Sequence, residues 1–158
     1  MNRREAERLT HQQNVLMSLG FTVDETEKLR RISMTLHRWH ELECGDGNGH
    51  IERDEKTGTP RYFNGRARYV DPHDPRAWHV IPDRETGAKK RLAAILKARN
   101  VRAWNPSEVP HGQLDKHPGL SAYIQTDPRG AALYIIRPGD VPEGSIVDSC
   151  YSRGICVY

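Results

Sequence analysis

The chain has 158 residues, of which 36% are hydrophobic and 28% charged, with a formal net charge of +3. One domain is the natural size for this length, and such a chain buries about two thirds of its unfolded surface, so it folds without a metal or disulfide staple. No run approaches the roughly 20 apolar residues of a membrane span, and the N-terminal MNRREAERLTHQQ has none of the apolar core of a secretory signal.

Three cysteines form an odd set without framework spacing, which fits a reducing cytoplasm. The charge is unevenly spread. Residues 84–102 hold seven Lys/Arg against one acid, and residues 36–55 hold six acids against two Arg. Such polarity suits nucleic acid, an acidic protein partner, or solubility alone.

In chain order, residues 3–19 read as a helix with Leu9, Leu16 and Leu19 on one face. Gly20 suits the left-handed position that ends it, and Phe21 is placed to pack back on the last turn. Thr22 and Glu25 have the spacing of a capping box. Leu29, Ile32, Leu36 and Trp39 then form an apolar stripe on a helix over 24–44, stopped by Gly45. The short GFTV connection makes 1–44 an antiparallel helical hairpin.

GDGNG (45–49) is a turn-rich loop, and residues 50–63 read as a β-hairpin about Thr57-Gly58. Residues 64–82 contain three prolines and no clear period, so they are expected to be irregular. A third, basic helix is expected over 83–99, capped by Asp83, burying Leu92, Ile95 and Leu96. Residues 105–119 read as a Pro/Gly-broken connector. Residues 121–158 read as an antiparallel meander, its first hairpin turning at Asp127-Pro128-Arg129-Gly130. A second hairpin turns at Ser152-Arg153-Gly154, which sets Cys150 opposite Cys156. The chain ends inside a strand, so trimming its tail is expected to harm folding. The expected fold is one α+β domain over 1–158, with Ile124, Leu133 and Ile135 joining the helical stripes in the core. There is no internal repeat.

LHRWHELECGDGNG, IERDEKTGTP, IPDRETGAKKRLAAI and LSAYIQTDPRGAALYIIRPGDVPEGSIVDSCYSRGICVY together resemble a family of small hypothetical proteins abundant in bacteriophages and prophages. The resemblance runs from about residue 29 onward, except over 64–82 and 101–118. It implies an origin, a phage or prophage gene product acting in a bacterial cytoplasm, and it transfers no functional residue.

Three chemistries deserve weighing. His37, His40 and Cys44 fall within about 60° of one helix face, and His50 lies across the glycine loop. Imidazoles and a thiolate are zinc ligands, so these four form a candidate zinc site. The bland alternative is packed histidines favoured by a helix C-terminus, beside a small buried thiol. Asp46, Asn48 and Glu52 have part of a calcium-loop spacing, but Thr57 stands where the bidentate Glu belongs, and a glycine-rich turn explains the stretch.

The second is nucleic-acid binding. Lys89, Lys90, Arg91 and Lys97 on the third helix suit phosphates, while Arg61, Arg66, Arg68 and Trp78 interleave cations with aromatics, as unpaired bases require. Arg129 and Arg153 sit at hairpin tips. A helix-turn-helix with SLGFT as its turn is disfavoured by the acidic DETEK surface.

The third is an enzyme. The sequence has no P-loop, no G-x-S-x-G, no H-E-x-x-H and no G-x-G-x-x-G after a strand. The reading is therefore a non-enzymatic phage accessory protein that binds nucleic acid or a host nucleoprotein complex. Its alternatives are a protein–protein inhibitor of a host factor and a small zinc-binding structural or hydrolase domain.

Overall fold

The structure, a computed structural model, describes residues 2–44, 49–63, 78–104, 119–127, 130–136 and 155–157. Its order is α1 (Arg3–Ser18), α2 (Val23–Cys44), β1 (His50–Arg53), β2 (Pro60–Phe63), β3 (Trp78–Val80), α3 (Arg84–Ala98), β4 (Arg102–Trp104), β5 (Ser121–Asp127), β6 (Gly130–Ile136) and β7 (Ile155–Val157). This is the expected α+β class.

The helices begin and end where local chemistry dictates. The Phe21 N–H donates to Leu16 O and the Gly20 N–H to Met17 O, with Gly20 at φ +104°. That pair of bonds satisfies the last carbonyls of α1 and tucks Phe21 into the core. Thr22 and Glu25 form the reciprocal box: the Thr22 N–H donates to Glu25 Oε1 at 2.9 Å, and the Glu25 N–H to Thr22 Oγ1 at 3.2 Å. Asp83 caps α3 by accepting from the Thr86 N–H at 3.1 Å. α3 closes with the motif that ends α1, here with Asn100 at φ +55° and the Val101 N–H donating to Leu96 O. Asparagine is among the few residues that enter the left-handed region readily.

The strands form two sheets. The first has the order β1-β2-β3 and is antiparallel. The second has the order β4-β5-β6-β7. Two strands depart from expectation. Residues 78–80 form β3 instead of belonging to an irregular stretch, and residues 102–104 form β4, parallel to β5, so the second sheet is mixed. Both are three residues long and owe their strand state to a partner already in place. In the 121–158 meander, β5 and β6 pair from Ser121↔Ile136 to Asp127↔Gly130, and β7 pairs with β6. The expected turns at 128–129 and 152–154, the strand before the latter, and the Cys150–Cys156 juxtaposition lie outside the described residues.

One core cluster joins α1, α2, α3 and the second sheet. Leu16, Leu29, Leu36, Leu92, Leu96, Leu133, Ile135 and Val157 are buried in it, while Ile95 and Ile124 pack at its margin. The first sheet docks separately on α2. Ile51 is buried beside it, and Arg53 donates to both oxygens of Asp83 while its guanidinium lies 5.8 Å from the Trp39 ring centroid. Gly49 enters β1 where a Cβ would stand 2.2 Å from Phe63 O, so only glycine allows that approach. Among the described residues no helix is long and apolar enough to cross a membrane.

Candidate nucleic-acid interface

The geometry of α3 follows from its sequence. Ala88, Leu92 and Leu96 are buried, so the opposite side faces out. Arg84 and Arg91 are seven residues apart, as are Lys90 and Lys97. At 100° per residue each pair stays within about 20° along the helix. The two rows flank an outer strip of Gly87, Ala94 and Ala98. Arg84, Lys90, Arg91 and Lys97 are exposed, and none has an ion-pair partner among the described residues. Small residues between two basic rows let the helix backbone come close to an anionic chain.

The cations of α2 are treated differently. On α2, Lys28 pairs with Asp24 at 2.9 Å, Arg30 and Arg31 with Glu27 at 2.7 and 3.1 Å, and Arg38 with Glu41 at 3.2 Å. Beyond α3, Arg99 donates to Glu25 at 2.8 Å, locking its end to the start of α2. That bond is the main reason the Glu25 carboxyl is pulled down to about 2.

Lys89 does not belong to the open face. It donates to Glu85 at 2.6 Å, one turn earlier, and points to the α2 side of the helix. Arg61 lies on β2, its guanidinium 5.2 Å from the Trp78 ring centroid. Trp78 packs on Phe63 at 5.3 Å and on His50 at 5.4 Å, a ring cluster spanning all three strands of the first sheet. Arg66, Arg68, Arg129 and Arg153 lie outside the described residues.

The four histidine and cysteine candidates are not gathered into a site. Nδ1 of His37 sits 3.1 Å from Ala131 O and 3.2 Å from Ala131 N, and its Nε2 faces Glu41 at 2.9 Å. His50 Nε2 faces Glu52 at 3.2 Å. Only His40 and Cys44 meet, at 3.4 Å. A shared helix face did not bring the set together because β6 packs on α2 and engages His37. Among the described residues no group of three or more His, Cys, Asp or Glu side chains is arranged to hold a metal ion. Of the calcium-loop positions, 46 and 48 lie outside the described residues.

A feature missed in the sequence lies on the other side of α3. A cavity of about 600 Å³ opens between α2, α3 and the second sheet, walled by Leu36, Leu92, Leu96, Ala122, Ile124 and Leu133. His40, Glu43, Glu85 and Lys89 also line it. Burial pushes the Glu43 carboxyl up and the Glu85 carboxylate adds to this, while the bond from Trp39 Nε1–H, 2.7 Å long, and the Arg53 charge oppose it. A signal was present: Glu43 continues the Leu29, Ile32, Leu36, Trp39 stripe by four residues, and Glu85 lies seven before Leu92.

Comparison of the chain with protein-family models, with curated proteins and with solved structures finds no match.

Proposed function

We propose that the protein is a non-enzymatic accessory protein of phage or prophage origin that binds nucleic acid through the outer face of α3. The observation that carries this is the contrast in charge pairing. The cations of α2 named above are held by carboxylates, whereas Arg84, Lys90, Arg91 and Lys97 stand exposed in two rows without one among the described residues. A set of unneutralised guanidinium and ammonium groups on a rigid helix gains by replacing the condensed counterions of a phosphate chain. The phage origin rests on the resemblance described above, which runs from about residue 29 onward except over 64–82 and 101–118.

The test is a titration of labelled single- and double-stranded DNA at several salt concentrations. Four phosphate contacts give a log–log salt slope of about −3.6 on duplex, roughly a hundredfold loss of affinity between 50 and 200 mM salt. The Lys90→Gln/Lys97→Gln variant is expected to bind more weakly on every sequence and to lower the slope by about 2. No binding at low salt removes the proposal. A partner captured from bacterial lysate that survives nuclease treatment points instead to a host protein.

A further inference from the structure

Independently of nucleic acid, we propose that the cavity between α2, α3 and the second sheet is a binding site for a small apolar molecule carrying one ammonium group, with Glu43 as the acceptor of that group. The volume, about 600 Å³, falls in the range of ligand sites, and the apolar part of the wall is aliphatic. Leu36, Leu92, Leu96 and Leu133 form the apolar floor, and Ala103, Ala122 and Ile124, which share the helix-facing side of the second sheet with Leu133, supply the wall opposite them. Such a wall favours a hydrocarbon or aryl body by burying it.

The charge at the polar end decides the head group. Arg53, from β1, donates to both Asp83 oxygens, at 2.8 and 3.2 Å, and to Gly58 O at 3.1 Å. Lys89, from α3, is engaged by Glu85 at 2.6 Å. With those two cations committed, Glu43 is the surplus carboxylate. Arg53 reaches it only at 3.9 Å, and its one short bond comes from the neutral Trp39 indole at 2.7 Å. His40 completes the polar lining. A carboxylate one-third exposed beside an apolar cavity, facing a second carboxylate, is stabilised by an incoming cation and repels an anion. A negative head group has no uncommitted positive partner there.

Three probes of one shape separate the contributions: 4-phenylbutylamine, 4-phenylbutanol and 4-phenylbutyrate. Binding is followed by calorimetry and by the indole resonances of the three tryptophans, of which Trp39 donates to Glu43. The amine is expected to bind at least tenfold tighter than the alcohol, and the butyrate weakest, with shifts concentrated at Trp39. In Glu43→Gln the amine falls to the affinity of the alcohol, while alcohol binding persists, which shows that the cavity is intact. Ala103→Phe, a change on an exposed residue that lines the cavity, is expected to abolish binding of both amine and alcohol. Absence of amine binding to the folded wild-type protein, equal affinity for the three probes, or an amine preference that survives in Glu43→Gln overturns the proposal.

Discussion

Ser33 is a hydroxyl in a fully buried position on α2, between Leu29 and Leu36. It is tolerated because the Leu133 N–H, from the middle of β6, donates to its Oγ at 3.2 Å. His37, one turn further on, meets the Ala131 backbone in the same way, so two polar side chains fix the position of α2 along β6. Removing a partner from a buried donor costs more than the bond itself contributes. Ser33→Ala is expected to destabilise the protein by about 1–3 kcal/mol, although alanine is the better helix former. Urea unfolding reads this as a lower midpoint at unchanged slope. A neutral or stabilising result means that Leu133 N–H is satisfied elsewhere.

At the scale of elements, α2 and α3 are joined at one end by Glu25 and Arg99 and braced at the other by Arg53, Asp83 and Glu85. Glu25 sits at about 2 in the folded chain against an ordinary value of 4.5, first because of the Arg99 hydrogen bond, with burial opposing it. A carboxyl held lower in the folded state binds fewer protons there than in the unfolded one. Its contribution is therefore complete above about 4.5 and is lost as pH falls toward 2. Asp83, held below the usual carboxylate range chiefly by Arg53, acts in the same direction. Glu25→Gln keeps the capping geometry, since glutamine also serves in a capping box. The variant is expected to melt lower than wild type at pH 7 and to converge on it as pH falls from 5 to 2, measured by thermal unfolding across that range. Parallel curves would show that the pair contributes nothing.

The same elements explain what could be read in advance. Helix ends are written locally, in Gly20-Phe21, in Thr22 to Glu25 and in Asp83, and the stripe from Leu29 to Trp39 needs no knowledge of its partner. β3 and β4 are three residues each, and exposed Val80 and Arg102 give no alternation to detect, so their pairing depends on β2 and β5. Of the proposed interface, Lys90, Arg91 and Lys97 were legible by counting along a helix. The Glu85–Lys89 pair was written there too, as an i, i+4 spacing, but was masked by the excess of cations around it. The histidine cluster misled because helical spacing fixes a shared face, whereas tertiary packing decides which neighbour each ring meets. The cavity was hidden for a related reason: Glu43 and Glu85 occupy core-facing positions of two helices distant in sequence.

For the molecule as a whole, the decisive long-range joint is the second sheet, whose strands come from residues 102–157 and whose core face meets the stripe of α2. β6 lies in its interior, paired to β5 on one side and to β7 on the other. β7 has only three residues, yet Val157 is fully buried in the cluster that includes Leu133 and Ile135. Deleting residues 155–158 removes that side chain and leaves the backbone of β6 an open edge, which is a template for pairing with another chain. Burial of one valine accounts for roughly 1.5–3 kcal/mol, and the lost ladder adds to it. A domain of this size has a total stability of only about 5–15 kcal/mol. The truncated chain is therefore expected to unfold at a clearly lower urea concentration and to aggregate at concentrations where the full chain stays monodisperse. Val157→Ala separates the two contributions: it costs stability through the core but keeps the edge covered, so it should lower the midpoint without promoting aggregation. Light scattering alongside the unfolding curves distinguishes them, and a truncated protein as stable and monodisperse as the full chain would show that the sheet is closed by something other than β7.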